Sequence, residues 1–302
     1  MAIRNYLSLV KFSHTVFALP FALVGLCWGL TSIRQQLPGT GWMGKLTDLS
    51  YSGTGRKLLL VLACMVLART AAMAFNRWLD ADIDSRNPRT AMREIPSGKI
   101  TQNSALGLVV ICCLLFVCCT WFINPLCFRL SPVALFVLLF YSYTKRFTAW
   151  CHLVLGLALG LAPVGAYLAA TGSFALEPVL ISLAVLGWVA GFDIIYALQD
   201  EDFDKAQRLR SVPVALGATG ALRVSSLLHV FSVLSLALAG SWGGRGGWYL
   251  AGLLIFSALL FYQHRLVKPG DLSRVNMAFF TTNGVASVLF SFFVITDLLT
   301  KP

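Results

Sequence analysis

Charge is what this sequence is short of. Only 12% of its 302 residues are Asp, Glu, Lys or Arg, while 57% are hydrophobic. An average soluble domain carries about 25% charged residues. A water-soluble fold of this size has nowhere to hide so much apolar surface, and mean hydropathy is +0.75. A lipid bilayer remains, in which about 20 apolar residues make one spanning helix. Histidine is scarce too, with four residues. No cysteine has the spacing of a zinc site with histidine partners. Most of the eight cysteines lie in apolar runs, where cysteine acts as a small hydrophobe. An Arg- and Ser-rich leader is missing, and the first apolar run is long, contains Pro20 and has no clear cleavage site. That pattern favours a bacterial cytoplasmic (inner) membrane over import into an organelle. No low-complexity tail or second soluble domain is evident, so residues 1–302 read as a single transmembrane domain.

The apolar runs predict an all-α, polytopic bundle of about nine spanning helices, near 12–33, 57–79, 104–123, 126–144, 150–170, 178–199, 219–240, 247–263 and 275–297. Arg129 and Pro132 interrupt the start of the fourth. The Gly-, Ser- and Thr-rich stretch 34–56 reads as an exposed loop, and 80–103 and 200–218 as cap loops. With the N-terminus inside and the sides alternating, 16 Lys and Arg fall inside and 7 outside, with Arg69 left within a helix. This asymmetry predicts a cytoplasmic N-terminus. The net charge of +11 therefore points to topology and to anionic headgroup or phosphate contact, with no nucleic-acid partner.

The carboxylates are more telling. Nine of 13 fall in two clusters, at 80–94 and 193–204, and both land at the inner ends of predicted helices. In NRWLDADIDSRNPRT, Asn76, Asp80 and Asp84 recur every four residues and so share one helical face. Arg69 lies two turns before Asn76 on that stripe. In DIIYALQDEDFDKAQRLRS, Tyr196, Asp200 and Asp204 repeat the spacing; Asp193 lies deeper and Asp202 is off the stripe. Either cluster alone matches a solvated helix end. Two matched stripes on one side, each followed by a basic run (Arg86, Arg89, Arg93; Lys205, Arg208, Arg210), suit two Mg²⁺ ions and a polyanion. A cation-transport path would instead spread its charges along several helices at mid-membrane depth. A diphosphate bound at a membrane face implies a lipid diphosphate, whose chain the bundle and bilayer accommodate.

These residues resemble the UbiA superfamily of intramembrane aromatic prenyltransferases. Its motif NxxxDxxxD is met by Asn76, Asp80 and Asp84, its second by Tyr196, Asp200 and Asp204, and a YxxxK signature by Tyr141 and Lys145. The resemblance implies helices around a central cavity that opens sideways to lipid, capped by the loops after helices two and six. It also implies Mg²⁺ held by Asn76, Asp80, Asp84, Asp200 and Asp204, with Arg69 and Lys145 on the substrate diphosphate. Arg146, Arg89, Lys205 and Lys11 are further candidates for that anion, and Tyr141 for steadying an allyl cation. Many members have Asn-Asp where this chain has Asn76-Arg77, so one potential carboxylate is missing. The segments KFSHTVFALPFAL and GFDIIYALQDEDFD look most like the 4-hydroxybenzoate polyprenyltransferase branch, including a sub-branch with a naphthoate acceptor in menaquinone synthesis by the futalosine route. The implied activity is transfer of a polyprenyl group from its diphosphate to an aromatic carboxylic acid in ubiquinone or menaquinone biosynthesis. Ser13, His14 and Tyr196 are candidates for contacting the acceptor. Gly156 and Gly160 read as a close helix-packing motif, and His152, His229 and His264 as structural or surface residues.

Overall fold

The computed structural model describes residues 5, 6, 8, 9, 17–35 and 53–300. Lys11, Ser13 and His14 lie outside the described residues. The long helices are α1 (Leu19–Gln35), α2 (Thr54–Leu79), α4 (Gln102–Ile123), α5 (Pro125–Thr144), α6 (Cys151–Thr171), α7 (Leu176–Ala197), α9 (Val212–Trp242), α10 (Gly247–Leu266) and α11 (Asn283–Thr300). Two short helices, α3 (Ala81–Arg86) and α8 (Glu201–Ala206), follow α2 and α7. Among the described residues, seven segments are long and apolar enough to cross a membrane. The about nine spans expected from sequence correspond to these seven plus α1 and α10. α1 is only 17 residues long, and α10 begins Gly-Trp-Tyr and ends Gln-His-Arg-Leu. The chain is an integral membrane protein. Its outer faces expose Leu114, Phe136, Leu227 and Leu254, as a surface solvated by lipid does.

Local chemistry explains the irregular starts. α5 begins with Pro125 at its first position, and the Asn124 side chain accepts from the Cys127 N–H at 2.8 Å. Pro132 cannot donate to the Phe128 carbonyl four residues back. The Ser131 hydroxyl donates to it instead, at 2.8 Å, and the helix runs on. α9 starts at Val212, seven residues before the predicted 219, because it includes a kink at Gly217, where φ is 65°. Only glycine enters that region without strain.

Packing divides the bundle into a solid part and a hollow part. Phe21, Trp188, Phe256 and Phe290 interlock where α1, α7, α10 and α11 meet, all nearly inaccessible. The buried Trp188 Nε1–H finds Asn283 Oδ1 at 2.9 Å. α6 and α7 touch backbone to backbone. A Cβ on Gly156 would stand 2.3 Å from the Leu186 carbonyl oxygen, and one on Gly160 2.8 Å from that of Ser182. The small-residue pattern therefore marks a close helix contact. A cavity opens on the other face of α6, toward α2 and α5.

Candidate active site

Both acidic motifs are built in the same way. α2 ends at Asp80, whose backbone (φ −94°, ψ 9°) leaves the helical region, and the six-residue α3 carries Asp84. α7 passes through a 3₁₀ turn, Leu198–Asp200, to Asp200 at φ −105°, ψ 4°, and the six-residue α8 carries Asp204. This sparsely populated bridge region is common at active sites. The two breaks replace the unbroken stripes expected from sequence. They redirect the third residue of each motif.

One cavity of about 460 Å³ joins the two motifs. Arg69, Asn76, Tyr141, Lys145, Tyr196, Asp200 and Asp204 line it, with Arg77 and Arg93. Most of the remaining lining is apolar and runs back along α2 to Val61, with Asp193 and His152 as polar exceptions on the opposite side. Fifteen residues at 1.5 Å each make that wall about 22 Å long.

Asp80 and Asp84 stand behind the cavity wall. Asp80 lies 2.9 Å from Arg146 Nη2 and 3.5 Å from Lys145 Nζ, and it accepts from Asn76 Nδ2 at 3.1 Å. Arg146 also donates to the carbonyls of Leu79 and Ser142, so it fastens the end of α2 to α5 and does not line the cavity. Asp84 takes both its 2.7 Å bonds from Arg93, with Arg77 Nη1 at 3.8 Å. Arg77 is thus a buried cation facing both Asp84 and the cavity.

Motif two is held differently. Arg89 grips both oxygens of Asp200, one of them from Nε at 3.0 Å, and donates to the Tyr196 hydroxyl at 3.1 Å. Burial alone would pull the Arg89 guanidinium down, but its bonds to Asp200 outweigh this and leave it raised. Asn87 Nδ2 reaches the same carboxylate at 3.4 Å, so the loop after α2 is tied directly to motif two. Asp204 is buried, lines the cavity and has no ion-pair partner within 4 Å among the described residues. Lys205 turns away: it is half exposed and pairs with Glu201 at 2.6 Å. The expectation that it reaches the diphosphate therefore finds no support in its position.

The donor set fits a hard divalent cation. No three His, Cys, Asp or Glu side chains converge among the described residues. Mg²⁺ needs only one or two carboxylates plus water and phosphate oxygens. Asn76 from α2 and Asp200 and Asp204 from the end of α7 bring such oxygens to one cavity. Arg69 Nε, shielded from solvent without a hydrogen-bond partner, supplies an unmet donor for an anion. Sequence reading passed over His152, which lines the cavity and bonds Asp193 at 2.7 Å. Asp193 lies on the cavity stripe, but its partner is 41 residues away and no local spacing marks it. His229 and His264 instead pair with each other at 2.9 Å, away from the cavity.

The chain matches the UbiA prenyltransferase family over residues 40–285. It is 31% identical to the 4-hydroxybenzoate octaprenyltransferase of Aeromonas salmonicida (strain A449) over 242 residues, which is 80% of this chain and 83% of that protein. The apo structure of a UbiA homolog from Aeropyrum pernix K1 superposes with a TM-score of 0.77 at 32% identity, covering 94% of this chain and 98% of that one. A UbiA homolog from Archaeoglobus fulgidus bound to GPP and Mg²⁺ shares the fold, with a TM-score of 0.68 at 21% identity, over 97% of this chain and 99% of that one. With its two matched helix breaks around one amphipathic cavity, this chain belongs to the UbiA prenyltransferase family.

Proposed function

We propose that the chain transfers a polyprenyl group from a polyprenyl diphosphate to an aromatic carboxylic acid such as 4-hydroxybenzoate, with Mg²⁺ as cofactor, in quinone biosynthesis. The observation that carries this reading is the polarity of the cavity. Oxygen donors and cations crowd one end, and a long, mostly apolar wall extends from it along α2, which suits a diphosphate head on a hydrocarbon tail. The named relatives support the acceptor class.

Asn76, Asp200 and Asp204, backed by Asp80 and Asp84, are the residues that would hold the cation. A divalent ion, when bound, neutralises the diphosphate oxygens and makes the group easier to expel. Arg69, Arg77 and Lys145 present fixed positive charge to the same anion, at a place where charge develops as the C1–O bond breaks. The ring face of Tyr141 stabilises the allyl cation left behind. The apolar wall keeps water from quenching it. A carbon of the electron-rich acceptor then bonds to C1 and the ring loses a proton. The distribution of Lys and Arg supports placing this end of the bundle at the cytoplasmic face.

The test is to incubate the purified protein with labelled polyprenyl diphosphate and a panel of hydroxylated benzoic and naphthoic acids. The expected result is a prenylated acid and one diphosphate per product, lost on chelation and restored by Mg²⁺. Full activity in chelator, or no product from any acid, overturns the proposal.

A further inference from the structure

α7 presents Val189, Asp193, Tyr196 and Asp200 to the cavity at three- and four-residue intervals. Asp193 lies seven residues before Asp200, about 10 Å deeper at 1.5 Å per residue. Unlike Asp80, Asp84 and Asp200, it is bound by no arginine or lysine among the described residues. Its Oδ2 accepts from His152 Nδ1 at 2.7 Å. His152 Nδ1 is the donor to that carboxylate, and the Val212 N–H lies 3.4 Å from Nε2 on the other side of the ring. His152 is buried, whereas the Asp193 side chain remains 25% accessible. The imidazole therefore fixes one carboxylate oxygen and leaves the other toward the cavity.

An aromatic wall stands beside this carboxylate. Tyr196 stacks on Phe279 with ring centroids 4.1 Å apart, Phe192 meets the edge of Phe279 at 5.3 Å, and all three line the cavity. A flat ring against an aromatic wall, with one hydrogen-bond acceptor at its edge, describes a site for a phenol.

We propose that Asp193, oriented by His152, accepts a hydrogen bond from the ring hydroxyl of the aromatic acceptor and so fixes which ring carbon faces prenyl C1. The inference rests on the prenyl-transfer reading above and names the group that selects its acceptor. Asp193 touches the substrate; His152 acts through Asp193 as a positioning residue. A site built to bind a hydroxyl rejects an analogue lacking it far more strongly than an apolar pocket rejects a change of size.

The experiment compares wild type, Asp193→Leu, His152→Ala and His152→Gln, using a hydroxybenzoic acid as substrate and its methyl ether as competitor. KM for the prenyl diphosphate is measured in parallel. For Asp193→Leu the expected result is about a 10²-fold loss of kcat/KM toward the hydroxy acid, with the KM for prenyl diphosphate within about twofold. The preference for the hydroxy acid over its ether should collapse in that variant. His152→Ala should raise the acceptor KM, and His152→Gln, which restores a side-chain N–H donor, should recover most of the loss. An Asp193→Leu enzyme that keeps its acceptor KM and its discrimination overturns the inference. So does a wild-type enzyme that binds hydroxy acid and ether equally, a measurement that needs no variant to fold. Failure of the wild-type protein to prenylate any hydroxylated aromatic acid removes the prenyl-transfer reading, and this one with it.

Discussion

The ends of α2 and α7 share a backbone plan and differ in how their carboxylates are committed. Each has a bridge-region aspartate followed by a six-residue helix that delivers a second aspartate. At the end of α2, Asp80 and Asp84 are each saturated by cations of the protein and stand outside the cavity. At the end of α7, Asp200 has Arg89 as its one cationic partner among the described residues, and Asp204 faces the cavity without an ion pair among them. Identical spacing in sequence therefore conceals two jobs. Motif one anchors: it orders Lys145, Arg146 and Arg93. Motif two turns Asp200 and Asp204 to the cavity. Arg77 deepens the contrast, because it adds a buried cation to motif one.

The contrast breaks most visibly at Asp204. Asp204→Asn removes the uncommitted carboxylate and should lower kcat by about 10³-fold, equivalent to about 4 kcal/mol of leaving-group stabilisation. Thermal unfolding in detergent should barely change. Asp84→Asn should do the reverse in kind. It leaves the Arg93 and Arg77 guanidinium groups without their counter-charge, which costs about 3 kcal/mol when a buried pair loses one member, so a clear fall in Tm should accompany any loss of activity. Equal unfolding curves for the two variants would erase the distinction between anchor and ligand. Arg69→Ala comes next. Its unmet Nε–H serves the incoming anion, so kcat/KM for the prenyl diphosphate should fall by about 10²-fold, roughly the worth of two charge-assisted hydrogen bonds. Unchanged kinetics would remove Arg69 from the site.

Residue spacing explains what was legible before the structure. Long apolar runs mark the spans, because lipid forces a helix to satisfy its own backbone. The boundaries at Thr54–Leu79 and Pro125–Thr144 fall within three residues of those read from hydropathy. Four-residue spacing located Asn76, Asp200 and Asp204, which face one cavity. It did not show that Asp80 and Asp84 stand behind the cavity wall, because a periodic pattern assumes a continuous helix and the backbone breaks at Asp80. It also missed the tertiary pairings: Arg89 with Asp200 across 111 residues and His152 with Asp193 across 41. Such contacts depend on which helices pack together, and no local pattern records that.

The smallest expected effect concerns two lysines that sequence treats alike. Lys145 and Lys205 both follow an acidic or aromatic motif by a few residues. Lys145 lines the cavity and lies 3.5 Å from Asp80, at the junction of α2 and α5. Lys205 points outward to Glu201, its neighbour one turn back. Exposed pairs of that kind hold little energy, because water and salt screen them and ordering two long side chains opposes the attraction. Lys205→Ala should therefore leave kcat/KM within about twofold of wild type, while Lys145→Ala loses far more. Increasing the ionic strength should shift the Lys205 variant and the wild type in parallel, since the charge removed lies outside the shielded site. A Lys205→Ala enzyme with a sharply raised KM for the prenyl diphosphate would mean that α8 rotates on substrate binding, and that the anchoring and ligand-binding halves exchange partners during turnover.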